Sequence, residues 1–191
     1  MSSTPRVIGI DADVARSSGL TEHPSSRNSR ETLEKIKSCP NYKISLCSQL
    51  NNEWNEHASK LATKWKASMV ASRRMVYYKD DDAGLRSADD SIRGKIAAFS
   101  GSSEIKVIAN KDAHLVSLAV IGSKIIISND KKARDSFYEI LNGDQVNLNE
   151  MYWVSPTHEY DGICCIINKT SFYPADCVNY SVLSLCAKKS N

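Results

Sequence analysis

The chain has 191 residues, enough for one ordinary domain to bury a full hydrophobic core without covalent staples. Its 41% hydrophobic and 25% charged residues place it in the globular class, and no apolar run approaches the roughly 18 residues of a membrane span. A net charge of +3 is too small to argue by itself for a nucleic-acid partner.

Val7-Ile8-Gly9-Ile10 predicts a first strand over about 6–11, closed by Asp11 and followed by Asp13. The Ser- and Arg-rich stretch 16–30 is expected as a loop or a partly ordered approach to a helix that is capped near Ser29 and turns Leu33 and Ile36 inward. After a turn at Pro40-Asn41, residues 43–47 predict a buried strand. Leu50, Trp54, Ala58, Leu61 and Trp65 then recur at helical spacing, with Glu53 bordering that stripe. The helical pattern runs on to Tyr78 and breaks at Asp80-Asp81-Asp82, an acidic triplet expected as a solvated turn or helix cap. A helix over about 85–99, a short strand 105–108, a helix opening at Asp112, a strand 124–129 closed by Asp130, a helix 132–141 and a last strand 151–155 complete the pattern.

This alternation predicts a three-layer α/β/α sandwich with a mostly parallel central sheet. Residues 1–157 are expected to form that domain, with a helical insertion at about 57–104. Residues 158–191 form a cysteine-rich C-terminal extension with extra strands at 163–167 and 180–185. The N-terminus leads into the first strand without a signal-type apolar stretch, so a cytoplasmic location is expected. The six cysteines then favour reduced thiols over a disulfide framework, and a zinc site with His158 lacks any CxxC pair.

Asp11 and Asp130 close apolar strands at the sheet end where open α/β folds put their sites, and Glu53 and Asp112 stand on helices that can reach the same end. Clustered carboxylates repel and must shed water, a cost that a divalent cation or a shared proton offsets. Mg²⁺ or Mn²⁺ is therefore the expected cofactor. From His57 to Lys79 there is no acid, whereas Lys60, Lys64, Lys66, Arg73 and Arg74 all occur, so this segment is expected either to attract a phosphodiester backbone or to be a solvated helix face.

With the acids in this order, residues 6–157 resemble the PIN-domain family of metal-dependent nucleases. The resemblance rests on Ile8-Gly9-Ile10-Asp11-Ala12-Asp13-Val14, on Ser45-Leu46-Cys47-Ser48 through Glu53-Trp54, on Asp112-Ala113-His114-Leu115-Val116-Ser117-Leu118-Ala119, and on Ile125-Ile126-Ile127-Ser128-Asn129-Asp130. It implies phosphodiester hydrolysis, with Asp11, Asp112 and Asp130 as ligands of a first Mg²⁺ or Mn²⁺ and Glu53 on a second or on a water. Ser128 and Asp13, which stands where the family more often has Asn, would play supporting roles. By analogy the resemblance also implies RNA rather than DNA, a homodimer, and a protein inhibitor of the antitoxin type.

Asp11-Ala12-Asp13-Val14 also resembles the start of haloacid dehalogenase-like phosphatases, in which Asp11 would be the nucleophile and Asp13 the general acid. Ser48, Lys111, Asp130 and Asp135 would complete that scheme, which leaves Glu53 and Asp112 without a task. A third alternative is a non-catalytic interaction module that binds through its cysteine-rich tail.

Overall fold

A computed structural model describes residues 4–141, 151–158, 160, 163 and 167. Its elements are β1 (Arg6–Ile10), α1 (Ala12–Ser17), α2 (Pro24–Ser38), β2 (Tyr42–Leu46), α3 (Ser48–His57), α4 (Lys60–Ala71), β3 (Met75–Tyr77), α5 (Ala83–Ala98), α6 (Ser103–Ile121), β4 (Ile125–Ile127), α7 (Lys131–Leu141) and β5 (Tyr152–Val154). The five strands form one all-parallel sheet in the order β3-β2-β1-β4-β5. Helices α1, α2 and α4 pack together as one layer and α5, α6 and α7 as another, while α3 touches both α1 and α6. The expected three-layer α/β/α sandwich is the architecture found.

The strands are apolar on both faces because both are covered: Ile8, Ile10, Ile44, Ile126 and Val154 are fully buried. Close packing at β1 depends on two glycines. A Cβ on Gly9 would come within 3.3 Å of Leu115 Cδ1, and one on Gly122 would stand 2.7 Å from the Val7 carbonyl oxygen. Gly9 thus lets α6 lie close against β1, and Gly122 lets its end turn tightly beneath that strand. Ser123 closes the turn by donating its amide to the Val7 oxygen (2.7 Å) and accepting the Val7 amide on Oγ (2.8 Å).

Several expectations need correction. Residues 12–17 are helical, and α2 starts at Pro24 with His23 as its cap, so Ser29 lies buried inside the helix rather than capping it. The stripe from Leu50 to Trp65 spans two helices: Ala58 turns extended and Ser59 caps α4 by accepting the Ala62 amide. The periodicity survives the break because Trp54 and Trp65 stack across it, ring centroids 5.9 Å apart. The 57–104 stretch is not purely helical, since Met75–Tyr77 pairs with β2 as the sheet's edge strand. Residues 105–108 belong to α6, which places Asp112 inside that helix rather than at its start. Asp82 does cap α5, accepting the Leu85 amide at 2.9 Å.

In the extension, Ile163 and Ile167 are helical and buried, not in a strand. The strand expected at 180–185, and with it Cys164, Cys165, Cys177 and Cys186, lies outside the described residues. Cys39 and Cys47 are free thiols. Among the described residues no helix is long and apolar enough to cross a membrane.

Candidate functional site

The strand order reverses between β1 and β4, whose successors β2 and β5 lie on opposite sides. Such a switch point leaves a crevice beyond the carboxyl ends of the strands. A cavity of about 450 Å³ opens there, and Asp11, Asp13, Glu53, Asp112 and Asp130 all line it. The four acids singled out in the sequence, together with Asp13, therefore share one cleft.

Each is delivered by a different constraint. Asp11 follows β1, whose pairing with β4 extends to the Asp11 amide donating to the Ile127 oxygen at 3.0 Å. Its Oδ1 caps α1 through the Asp13 amide, and its Oδ2 accepts the Ser128 hydroxyl at 2.7 Å. Ser128 Oγ also accepts the Asp130 amide at 3.0 Å, and Asp130 Oδ1 accepts the Ala133 amide in the first turn of α7. Asp13 Oδ2 accepts the Asn129 amide at 2.9 Å. Asn129 in turn accepts from Ser155 Oγ and the Thr157 amide, which ties the end of β4 to the end of β5. Ser128 is thus placed beside Asp11.

Glu53 reaches the cleft because its neighbour Trp54 is buried and donates its indole N–H to the Ile10 oxygen at 3.0 Å, pinning α3 over the end of β1. Glu53 Oε1 accepts from Gln49 Nε2 at 3.1 Å. Its Oε2 lies 3.4 Å from His114 Nε2, a contact that is ionic when the imidazole is protonated and that lacks the alignment of a hydrogen bond. His114 is buried, with Nδ1 3.2 Å from the Lys111 oxygen, and Gln49 also donates to that oxygen, so this cluster joins α3 to α6. The sequence reading gave His114 no role. An all-buried run, Ala113 to Ala119, makes it resemble one more core position.

The electrostatics follow from burial. Removal from water pushes the Asp11 carboxyl above its ordinary range, although Ser128 and the Asp13 amide oppose the shift. Burial and then the neighbouring charge of Asp11 push Asp13 up to about 8. The same two causes in the same order raise Asp112 to about 6. For Glu53 burial also acts upward, yet His114, Gln49 and Lys111 outweigh it and hold the carboxyl below its usual range. Asp112 Oδ2 and Asp13 Oδ1 are buried without a hydrogen-bond partner, which is costly for a carboxylate oxygen.

The carboxylates line the walls without closing on a point. Among the described residues, no group of three or more His, Cys, Asp or Glu side chains is gathered tightly enough to hold a metal ion. The five carboxylates on these walls nonetheless offer oxygen donors, the chemistry preferred by hard divalent cations.

None of the five basic residues singled out in the sequence lines the cavity. Lys60 and Lys64 are exposed on α4, and Arg73 is exposed in the turn before β3 at φ 57°. Lys66 Nζ donates to Asn51 and Asn55 and sits 5.9 Å above the Trp54 ring centre. The Arg74 guanidinium donates to the carbonyls of Ile36, Lys37, Cys39 and Tyr42, where α2 ends and β2 begins, at the opposite edge of the sheet from the acids. The bases that do line the cavity are Arg16, His57 and Lys111. No family model matches this chain, and no curated protein matches it in sequence.

Proposed function

We propose that the protein is a divalent-metal-dependent nuclease of PIN-like type that hydrolyses phosphodiester bonds in RNA. The observation that carries the reading is the unpartnered Oδ2 of buried Asp112, in a cleft whose other walls present Asp11, Asp13, Glu53 and Asp130. Buried like charges with an empty acceptor are stable only with a proton or a cation to neutralise them. Asp11, Asp112 and Asp130 would hold Mg²⁺ or Mn²⁺, with Glu53 on a second ion or a water. When bound, such ions supply a more acidic water and neutralise charge on the pentacovalent phosphorus and leaving oxygen.

The chain's own groups have definable tasks. Ser128 orients Asp11 by its hydroxyl and fixes Asp130 through the backbone amide. His114 and Gln49 engage the two oxygens of Glu53 and keep it ionised at neutral pH. The phosphatase scheme receives less support: Lys111 lines the cavity, but Ser48 Oγ is joined to the Tyr77 hydroxyl at 2.9 Å, and Asp135 is paired with Lys131 and Arg134.

Calorimetry with Mn²⁺ tests the metal. Because burial leaves Asp13 and Asp112 holding protons well above the ordinary carboxylate range, Mn²⁺ binding near neutral pH should release protons, read as a dependence of the heat on the buffer's ionisation enthalpy. No binding heat in any buffer would remove the metal from the proposal. Glu53→Gln against Ser48→Ala separates the enzymes: a loss of roughly 100-fold on RNA in the first and none in the second is expected, and the opposite ranking on a phosphomonoester would favour the phosphatase.

A further inference from the structure

Arg16 and Lys111 line the same cleft as five carboxylates, yet among the described residues neither side chain makes a hydrogen bond or ion pair with any of them. Both are exposed. The acids are held instead by neutral donors and a histidine: Asp11 by Ser128, Asp13 by the Asn129 amide, Asp130 by the Ala133 amide, Glu53 by Gln49 and His114. A guanidinium and an ammonium therefore stand exposed beside the acids without a hydrogen bond or ion pair, although the Lys111 charge is felt by Glu53 and Asp112. They also come from opposite helical layers, Arg16 from α1 and Lys111 from α6.

We propose that Arg16 and Lys111 are the two phosphate clamps of a single-stranded polynucleotide. The strand crosses the carboxyl edge of the sheet from the α1 layer to the α6 layer, and the phosphate between the clamps lies over the acids. This rests on the nuclease reading and adds to it the path of the substrate. The chemistry of each clamp suits a phosphate: the guanidinium offers a planar fork to two oxygens, and the ammonium offers a compact charge. An acidic floor repels a polyanion, so approach depends on cations placed at its rim. A cleft of about 450 Å³ has the dimensions of a small-ligand pocket, a scale suited to one nucleotide unit of a strand. The proposal also fits a site that lies away from the basic run 60–74, whose Arg74 is occupied by backbone carbonyls.

The test is fluorescence anisotropy of a short labelled single-stranded RNA across a salt series, in Ca²⁺ buffer, with the full chain. Arg16→Gln and Lys111→Gln should each weaken binding about tenfold, and the double variant should flatten the slope of log K against log salt by about 1.4, two phosphates at roughly 0.7 each. The melting temperature should not move in Arg16→Gln, whose side chain has no partner to lose, and should move little in Lys111→Gln, which loses only its attraction to Glu53 and Asp112. An unchanged slope in the double variant overturns the proposal. So does a slope that falls instead in Lys64→Gln with Arg73→Gln, or a wild-type chain that binds no RNA. Hydrolysis of bis(4-nitrophenyl) phosphate with Mn²⁺ is read in parallel. That substrate has one phosphodiester and no flanking phosphates, so its turnover by the wild-type chain tells a failure of the metal reaction from a failure of the clamps.

Discussion

The Ser128 hydroxyl donates to Asp11 Oδ2 at 2.7 Å while accepting the Asp130 amide at 3.0 Å, so one buried side chain fixes the acids that end β1 and β4. Ser128→Ala should cost about 1–2 kcal/mol of stability, the usual penalty for stranding a buried partner, measured by urea unfolding. Losing a donor that stabilises the Asp11 carboxylate raises that carboxyl further, so the acid limb of any activity profile should move to higher pH. A variant with wild-type stability and an unmoved profile would remove Ser128 from the site.

Stability should fall as pH rises. Asp112 and Asp13 bind protons more tightly in the folded chain, at about 6 and about 8, than in the unfolded chain near 3.8. Between pH 4 and 8 the native state then holds more protons than the unfolded state, which makes the slope of unfolding free energy against pH negative. Without divalent cations, thermal melting at pH 5 should exceed that at pH 8. Asp112→Asn, which has no charge to desolvate, should shrink the difference and melt at or above wild type at pH 8. A larger difference in the variant would contradict this.

The glutamate on α3 depends on a histidine from α6. His114→Ala removes the imidazole 3.4 Å from Glu53 Oε2, so burial should prevail and the Glu53 carboxyl should titrate higher, as followed by carboxyl-carbon NMR. Nuclease turnover should drop by about tenfold, the scale of losing a positioning contact around a catalytic group. Unaltered titration of Glu53 would show that the contact carries no electrostatic weight.

Much of this arrangement was visible in the residues, for physical reasons that also mark where reading fails. Asp11 is legible because it directly follows an apolar run, and Asp130 because it stands just past Ile125-Ile126-Ile127, short apolar runs that fit strands buried on both faces. Met75–Tyr77 was not: three residues are too few for a period of two, and the helical pattern before them runs on without a break. Ile105, Val107 and Ile108 look like a strand, but they open α6, where Val107 points to solvent at 70% exposure. His114 was hidden because α6 is buried on every side at that level. No amphipathic stripe exists there to set a polar residue apart.

The basic run from Lys60 to Arg74 mixes two unlike situations. Arg74→Ala should destabilise the fold by roughly 2–4 kcal/mol, because four carbonyls at the end of α2 and the start of β2 lose a charged donor. Lys64→Gln, at an exposed position on α4, should stay within about 0.5 kcal/mol of wild type. Urea unfolding of the pair decides it, and equal midpoints would mean that Arg74 is held no more firmly than a surface lysine.

The central claim is that a cation gathered by these carboxylates cuts RNA, and the direct measurement is cleavage of end-labelled single-stranded RNA by wild type and Asp112→Asn with Mn²⁺, each repeated with chelator. Cutting by wild type with Mn²⁺ alone, and none by folded Asp112→Asn, is the predicted result. Equal cutting by the two proteins, or wild-type cutting that persists in chelator, would contradict it.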